Sequence, residues 1–302
     1  MSTTPPIEAL TRQQKIARRA GWALSIVVML GLSVWVVLRA RKRASPPARC
    51  PAGFVAMGAR CCAAGQSLQA DRCAGQPASC PKGFDLRDNG CVARPRRVRI
   101  GPGTTRVGPG DWEAQGVVRP ELIAIDRAFW LDAYEVTLDR WRACAVAGQC
   151  RPIDGEPGQA VRRVTFDEAS GFCRFAGGAI PTQHEWQFAA AGPRGRRYPW
   201  GDTGAVCRRA SWGLSTGPCA IGGDGPDIAG IHDDGASPDG VFDLAGGVAE
   251  WVVGEDGTAR ICGGSWRTEL ATELRTWHTE ERDDRTRWDD VGVRCSYESA
   301  AR

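Results

Sequence analysis

Every one of the 13 cysteines in this 302-residue chain lies beyond residue 49, and that placement limits what the chain can become. Such a density belongs to an oxidising compartment, where thiols pair as disulfides. Structural zinc is the competing use, but it draws on close ligand pairs. No C-x-x-C occurs, and His184, His232 and His278 are scattered. Disulfides are therefore the reading. Six cysteines fall in a repeat: Cys50-Pro-Ala-Gly53 runs to Cys61, Cys62-Ala-Ala-Gly65 to Cys73, and Cys80-Pro-Lys-Gly83 to Cys91, each C-x-x-G-x7-C. A glycine at a fixed offset marks a tight turn. Too few apolar residues lie between for a core, so cross-links must hold the segment. Closing each unit on itself is the simplest connectivity, but spacing alone does not choose among the pairings. The segment reads as a stapled spacer rather than a recognition module.

Ahead of the cysteines stands Trp22 to Leu38, 17 residues without a charge. That length is near the lower limit for a membrane span. Arg12, Lys15, Arg18 and Arg19 precede it, and Arg39, Arg41, Lys42 and Arg43 follow. The following basic cluster stands where a leader peptide would need small residues for cleavage. A single-pass anchor is expected, with the bilayer as its partner. Charge is nearly balanced across it and does not orient it. The cysteines do, by placing the C-terminal part outside the cytoplasmic membrane. The expected order is a cytoplasmic tail (1–21), a transmembrane helix (22–38), a basic Pro-containing stalk (39–49), the Cys-rich repeats (50–91), a linker (92–96) and a large domain (97–302). The formal charge of +4 misleads, because residues 1–49 alone carry nine Lys/Arg against one Glu. The rest is mildly acidic, which argues against a nucleic-acid partner.

Three helices are readable in the large domain. The first starts near Thr137 with Leu138, Trp141 and Ala145 on one face. The second is announced by Thr165 with Glu168 three residues on, a capping box. Ala169, Phe172, Cys173 and Ala176 line its apolar face, and Gly177 stops it. The third starts at Thr182, with Glu185 again at the capping-box position. Short strands and Gly, Asp and Pro turns fill the remainder, which gives an α+β, loop-rich fold. Twelve tryptophans and 38 glycines suit large rings packed around closely approaching backbone.

From about Val98 to Cys295 several motifs follow one another. They are Phe129 to Thr137 (FWLDAYEVT), Thr165 to Gly178, Ala179 to Ala190 (AIPTQHEWQFAA) and Tyr198 to Asp202 (YPWGD). Gly240 to Trp251 (GVFDLAGGVAEW), Gly263 to Trp266 (GGSW) and Gly292 to Cys295 (GVRC) complete the series. In this order they resemble the formylglycine-generating enzyme, or sulfatase-modifying factor, family, whose fold is related to C-type lectins. The resemblance identifies a fold more firmly than an activity.

The family's oxidases use two cysteines shortly after the GGS motif to bind copper and oxidise a substrate cysteine. Here Ser265 is followed by WRTELATELRTWHTEERDD, which has none, so copper is not expected. Cys262 stands before the motif as the one catalytic candidate, against its reading as a small buried residue. The resemblance also implies a calcium loop, with Glu250 and the carbonyls of Gly246 and Val248 as ligands. Gly247 replaces an Asn there and removes one oxygen, and calcium wants six to eight. A pocket is expected around Trp266, Arg267 and Arg294. The charged run from Glu280 to Asp290 reads as a solvated loop, with a pocket rim as its alternative.

Spacing pairs Cys144 with Cys150 and Cys207 with Cys219. The family resemblance pairs Cys173 with Cys295, which leaves Cys262 free. Together these readings describe an anchored, extracytoplasmic, non-catalytic binding or scaffolding module for an envelope or extracellular ligand. The rivals are an enzyme of the same broad family with other chemistry, of nonheme-metal or oxidoreductase type, and a formylglycine-generating oxidase using Cys262.

Overall fold

The computed structural model describes Met29 and residues 50–298, except 51, 59, 70, 71 and 110–118. Among the described residues no helix is long and apolar enough to cross a membrane. The expected tail, span and stalk lie, Met29 apart, outside them. The chain divides at Pro46 into two units, and the second, residues 47–302, carries the architecture.

Each C-x-x-G unit is one β-hairpin with its own bridge. β1 (Phe54–Met57) pairs with β2 (Arg60–Ala63), β3 (Ser67–Gln69) with β4 (Arg72–Ala74), and β5 (Phe84–Arg87) with β6 (Gly90–Ala93). The bridges are Cys50–Cys61, Cys62–Cys73 and Cys80–Cys91. Gly53, Gly65 and Gly83 share φ of 96°, 90° and 94°, a region other residues avoid. The repeated glycine is thus a backbone requirement of each hairpin entry.

These hairpins are not a detached spacer. Phe54, Ala63 and Cys91 share a small core with Ile231 of the large domain. The Arg60 guanidinium pairs with Asp227, and its other arm donates to the Gly225 carbonyl at 3.3 Å. Arg142 reaches Asp88 at 3.2 Å. The expected linker at 92–96 is packed as well. Ala93 closes β6, and the Arg96 carbonyl accepts from the Ala133 N–H. The hairpins bury too little alone, so a neighbouring surface completes what their bridges begin.

The large domain opens with β7 (Arg97–Ile100), the hairpin β8 (Gly103–Val107) and β9 (Glu121–Ile125), and β10 (Phe129–Asp132). Three helices follow: α1 (Leu138–Val146), α2 (Phe166–Phe175) and α3 (Gln183–Ala191). A long segment with almost no regular structure leads to β11 (Ala249–Val253), β12 (Ala259–Cys262), β13 (Thr279–Glu281), β14 (Val291–Gly292) and β15 (Ser296–Tyr297). β10 is the centre of a sheet ordered β15-β10-β7, and a second sheet runs β13-β12-β11-β14, with β14 parallel to β11. Thr165 and Thr182 both form complete capping boxes with Glu168 and Glu185. On α1 the buried face is Leu138, Trp141 and Cys144, not Ala145. Cys144, bridged to Cys150, takes the buried place on that face. Bridges also join Cys173 to Cys295 and Cys207 to Cys219, leaving Cys262 unpaired.

β11 sorts the interior by its period of two. Ala249 and Trp251 join Trp141, Phe172 and Val293 on one face. Glu250 and Val252 point to the other, where Trp186 and Ala190 of α3 pack with Leu244 and Cys262. A sheet buried on both faces leaves Glu250 without water, and that position governs the site.

One titrating group braces Asp227, the carboxylate that holds Arg60 of the hairpins. His232 Nδ1 lies 3.2 Å from the Arg208 carbonyl, and Nε2 lies 3.1 Å from Asp227 Oδ2. Both neighbours only accept, so both ring nitrogens carry protons. Burial opposes that charge, but Asp227 raises the His232 pKa above its ordinary value, helped by Asp243 and the Arg208 carbonyl. Asp233 and Arg60 complete the charged surroundings. A raised folded-state pKa gives stability that is full below pH about 6.5 and lost as pH rises through the folded value. The Asp227 pKa is lowered: burial works the other way, but Arg60 and His232 prevail. Its contribution is lost only in strong acid. Urea midpoints should therefore fall as pH rises above about 6.5, the ordinary imidazole value. In His232→Gln that slope should flatten; an unchanged slope would exclude His232 as its source.

Candidate functional site

The loop between Gly240 and Trp251 folds around buried charge. Arg294 and Glu250 are fully buried and paired, with Arg294 Nη2 2.7 Å from Glu250 Oε1 and Nε 3.0 and 3.1 Å from the two oxygens. The remaining guanidinium donors go to the carbonyls of Asp132 (2.8 Å) and Phe242 (2.7 Å). Trp186 Nε1 donates to Glu250 Oε2 at 2.7 Å. Two further carboxylates stand nearby. Glu135 Oε1 accepts the Val248 N–H at 2.6 Å, and Asp243 Oδ2 accepts the Gly230 N–H at 2.6 Å. Burial drives the Glu135 pKa well above the ordinary carboxylate range, with Asp243 and Glu250 adding to it. Burial raises Asp243 as well. The Arg294 guanidinium works against both rises.

This arrangement does not fit the calcium expected through Glu250, Gly246 and Val248. The Glu250 oxygens already accept from Arg294 and Trp186, so a divalent ion there would meet a guanidinium at contact distance. Gly247, where the family resemblance expects an Asn, has φ of 68°, and a Cβ there would stand 2.2 Å from Glu135 Oε1. The Glu135 carboxylate fills that space. Among the described residues no group of three or more His, Cys, Asp or Glu side chains gathers to hold a metal ion.

An open pocket of about 360 Å³ lies beyond β12. Its wall carries Ser265, Arg267, His278, Glu280, Arg282 and Asp290, among others. Of the three residues expected to form a pocket, only Arg267 lines it. Trp266 is 2% exposed and Arg294 is fully buried behind the sheet. The run from Glu280 to Asp290 divides between its two readings: Glu280, Arg282 and Asp290 reach the wall, whereas Arg285 stands in solvent. Ser265 Oγ donates to Asp290 Oδ2 at 3.1 Å, and burial lowers the His278 pKa. The pocket therefore presents a neutral imidazole, guanidinium donors and carboxylate acceptors. It supports polar recognition of a small ligand.

Cys262 borders this pocket as a closed floor, at 1% exposure and opposite Thr279 on β13. Burial pushes its thiol up to about 12, with Glu250 adding to the rise and Thr279 opposing it. A thiolate is the nucleophile and the soft metal ligand, and this thiol does not form one near neutrality. The sequence points to Cys262 and, through the rim reading of the Glu280 to Asp290 run, to Asp290, but has no signal for His278 or Ser265 as wall residues. Glu135 stands within the Phe129 to Thr137 motif, with no sequence signal of its own. Their convergence depends on which strands become neighbours.

Comparison with known proteins matches residues 85–299 to the family described as sulfatase-modifying factor enzyme 1-like domain. The hercynine oxygenase of Mycolicibacterium thermoresistibile is 36% identical over 105 residues, 33% of this chain and 22% of that protein. The inactive C-alpha-formylglycine-generating enzyme 2 of Bos taurus is 31% identical over 129 residues, 36% of this chain and 42% of that protein. The chain thus spans less than half the length of either relative. Among solved structures, PvdO from Pseudomonas aeruginosa superposes with a TM-score of 0.56 at 17% identity, covering 69% of this chain and 95% of that one. At that identity the likeness concerns the fold alone.

Proposed function

The chain belongs to the sulfatase-modifying factor enzyme 1-like family, and on that premise we propose that it is a membrane-anchored, extracytoplasmic module that binds a ligand without the family's oxidase chemistry. One observation carries the reading. No cysteine follows Ser265 within reach, and the single unbridged thiol, Cys262, is buried and held protonated. The likeness to a relative named inactive supports it. The 17 uncharged residues at 22–38 and the six bridges support the anchor and the oxidising side of the membrane. The ligand site in this reading is the open pocket, and its ligand belongs to the envelope or the extracellular space. The likeness to a hercynine oxygenase favours a second reading, an enzyme of different chemistry working in the same pocket.

The test uses the full chain in detergent, copper-loaded, with a cysteine-containing peptide of the sulfatase type. Mass spectrometry should find no aldehyde product. A thiol reagent should label Cys262 only after denaturation. Turnover that disappears in Cys262→Ser would sink the non-catalytic reading.

A further inference from the structure

Around Asp289, next in sequence to the wall residue Asp290, three guanidiniums converge, one of them the wall residue Arg267. Asp289 Oδ1 lies 2.9 Å from Arg162 Nη1 and accepts from Arg163 Nε, and Asp289 Oδ2 stands 3.8 Å from Arg267 Nη1. Three guanidiniums bring far more N–H donors than one carboxylate can accept. The other acidic neighbours are already engaged, Asp224 by Arg72 and Asp290 by the Ser265 hydroxyl. Arg163 and Arg267 remain more than half exposed.

The cluster is also held in place. Arg162 and Arg267 both lie over the Trp266 ring, 5.5 and 5.1 Å from its centroid. That contact fixes a planar cation without neutralising it. The same ring keeps its N–H buried, with no acceptor among the described residues. Arg163 has φ of 60°, a left-handed conformation that a long side chain rarely adopts. Its backbone is pinned on both sides: its N–H donates to the Trp288 carbonyl at 3.1 Å, and its carbonyl accepts from Arg151 at 2.8 Å. Strain maintained by neighbours at a solvent-facing cation accompanies functional sites.

We propose that Arg162, Arg163 and Arg267 form an oxyanion subsite at the pocket mouth. It takes the carboxylate, phosphate or sulfate group of a small ligand, whose remainder occupies the pocket. Asp289 is the internal acceptor that holds the trio together and competes with the ligand's anionic end. The subsite rests on the reading of the pocket as a ligand site. Guanidinium forks match oxyanions in pairs of parallel bonds, which a lysine would not reproduce.

Inorganic phosphate, sulfate and acetate are titrated separately into the full chain in detergent at low ionic strength, by calorimetry. Saturable binding of at least one is expected. Phosphate or sulfate without acetate marks a tetrahedral dianion, and acetate as well marks a carboxylate. The double variant R163Q/R267Q should bind about tenfold or more weakly, and Asp289→Asn a few-fold more tightly. Melting curves check that the variants fold. Should the double variant not fold, Arg267→Lys serves instead, with weaker binding expected because the fork is lost while the charge stays. Unchanged binding in the folded variants, or no binding of any anion by the wild type, overturns the subsite. Turnover of a cysteine peptide would instead remove the non-catalytic reading and leave the anion result standing.

Discussion

Removing the Cys173–Cys295 bridge lowers the stability of the domain by about 5 kcal/mol at most, the chain-entropy figure for closing so long a loop. The bridge spans 122 residues of sequence. It ties α2 to the segment just before β15, near the end of the large domain. Both cysteines are fully buried in the core that Trp141, Phe172 and Val293 build. Cys144–Cys150 spans six residues, and the same relation gives about 2 kcal/mol for it. The double change C173A/C295A should therefore lower the melting temperature by up to about 10–20 °C, and C144A/C150A by somewhat under half of that. The comparison is made without reductant, so that the other bridges stay closed. An equal effect of the two pairs would mean that residual unfolded-state structure, not loop length, sets their worth.

Local signals were legible in the sequence wherever the chemistry is local. Thr165 with Glu168 and Thr182 with Glu185 announced two helix starts, and both capping boxes are complete. The C-x-x-G-x7-C spacing marked three units, because one glycine conformation and one bridge recur in each. What the spacing could not carry is the surface those units settle on. Arg60 meets Asp227 across 167 positions of sequence, and no periodicity connects them. The same limit applies at the site. Arg294 was legible as a conspicuous residue of the GVRC motif, and a pocket was the natural guess for an arginine beside a presumed ligand site. Its direction follows from the pairing of β11 with β14, which sets Glu250 opposite Gly292 and brings the guanidinium under the sheet. Arg267 faces the pocket and Arg294 does not, although their residue type is the same.

Replacing Arg294 with methionine should destabilise the chain by about 3–5 kcal/mol near neutral pH, the range for removing one partner of a buried pair. The guanidinium makes five donor contacts, three to Glu250 and one each to the Asp132 and Phe242 carbonyls. Methionine fills much of the volume but leaves Glu250 buried without its ion-pair partner, near Glu135 and Asp243. The variant therefore has a distinctive pH dependence. Without the guanidinium, the Glu135 and Asp243 pKa values rise further, because burial and mutual repulsion lose the cation that opposes them. Groups with raised folded pKa values bind protons on folding, so the deficit should shrink as pH falls from 7.5 toward 5. Glu250→Gln makes the opposite fault. It leaves Arg294 buried without its counter-charge, and a guanidinium cannot shed its proton in that range. Its deficit should show no such recovery. Urea midpoints for both variants at the two pH values separate the cases. A deficit in Arg294→Met that is independent of pH would mean that lost packing, rather than the stranded carboxylates, is what the arginine prevents.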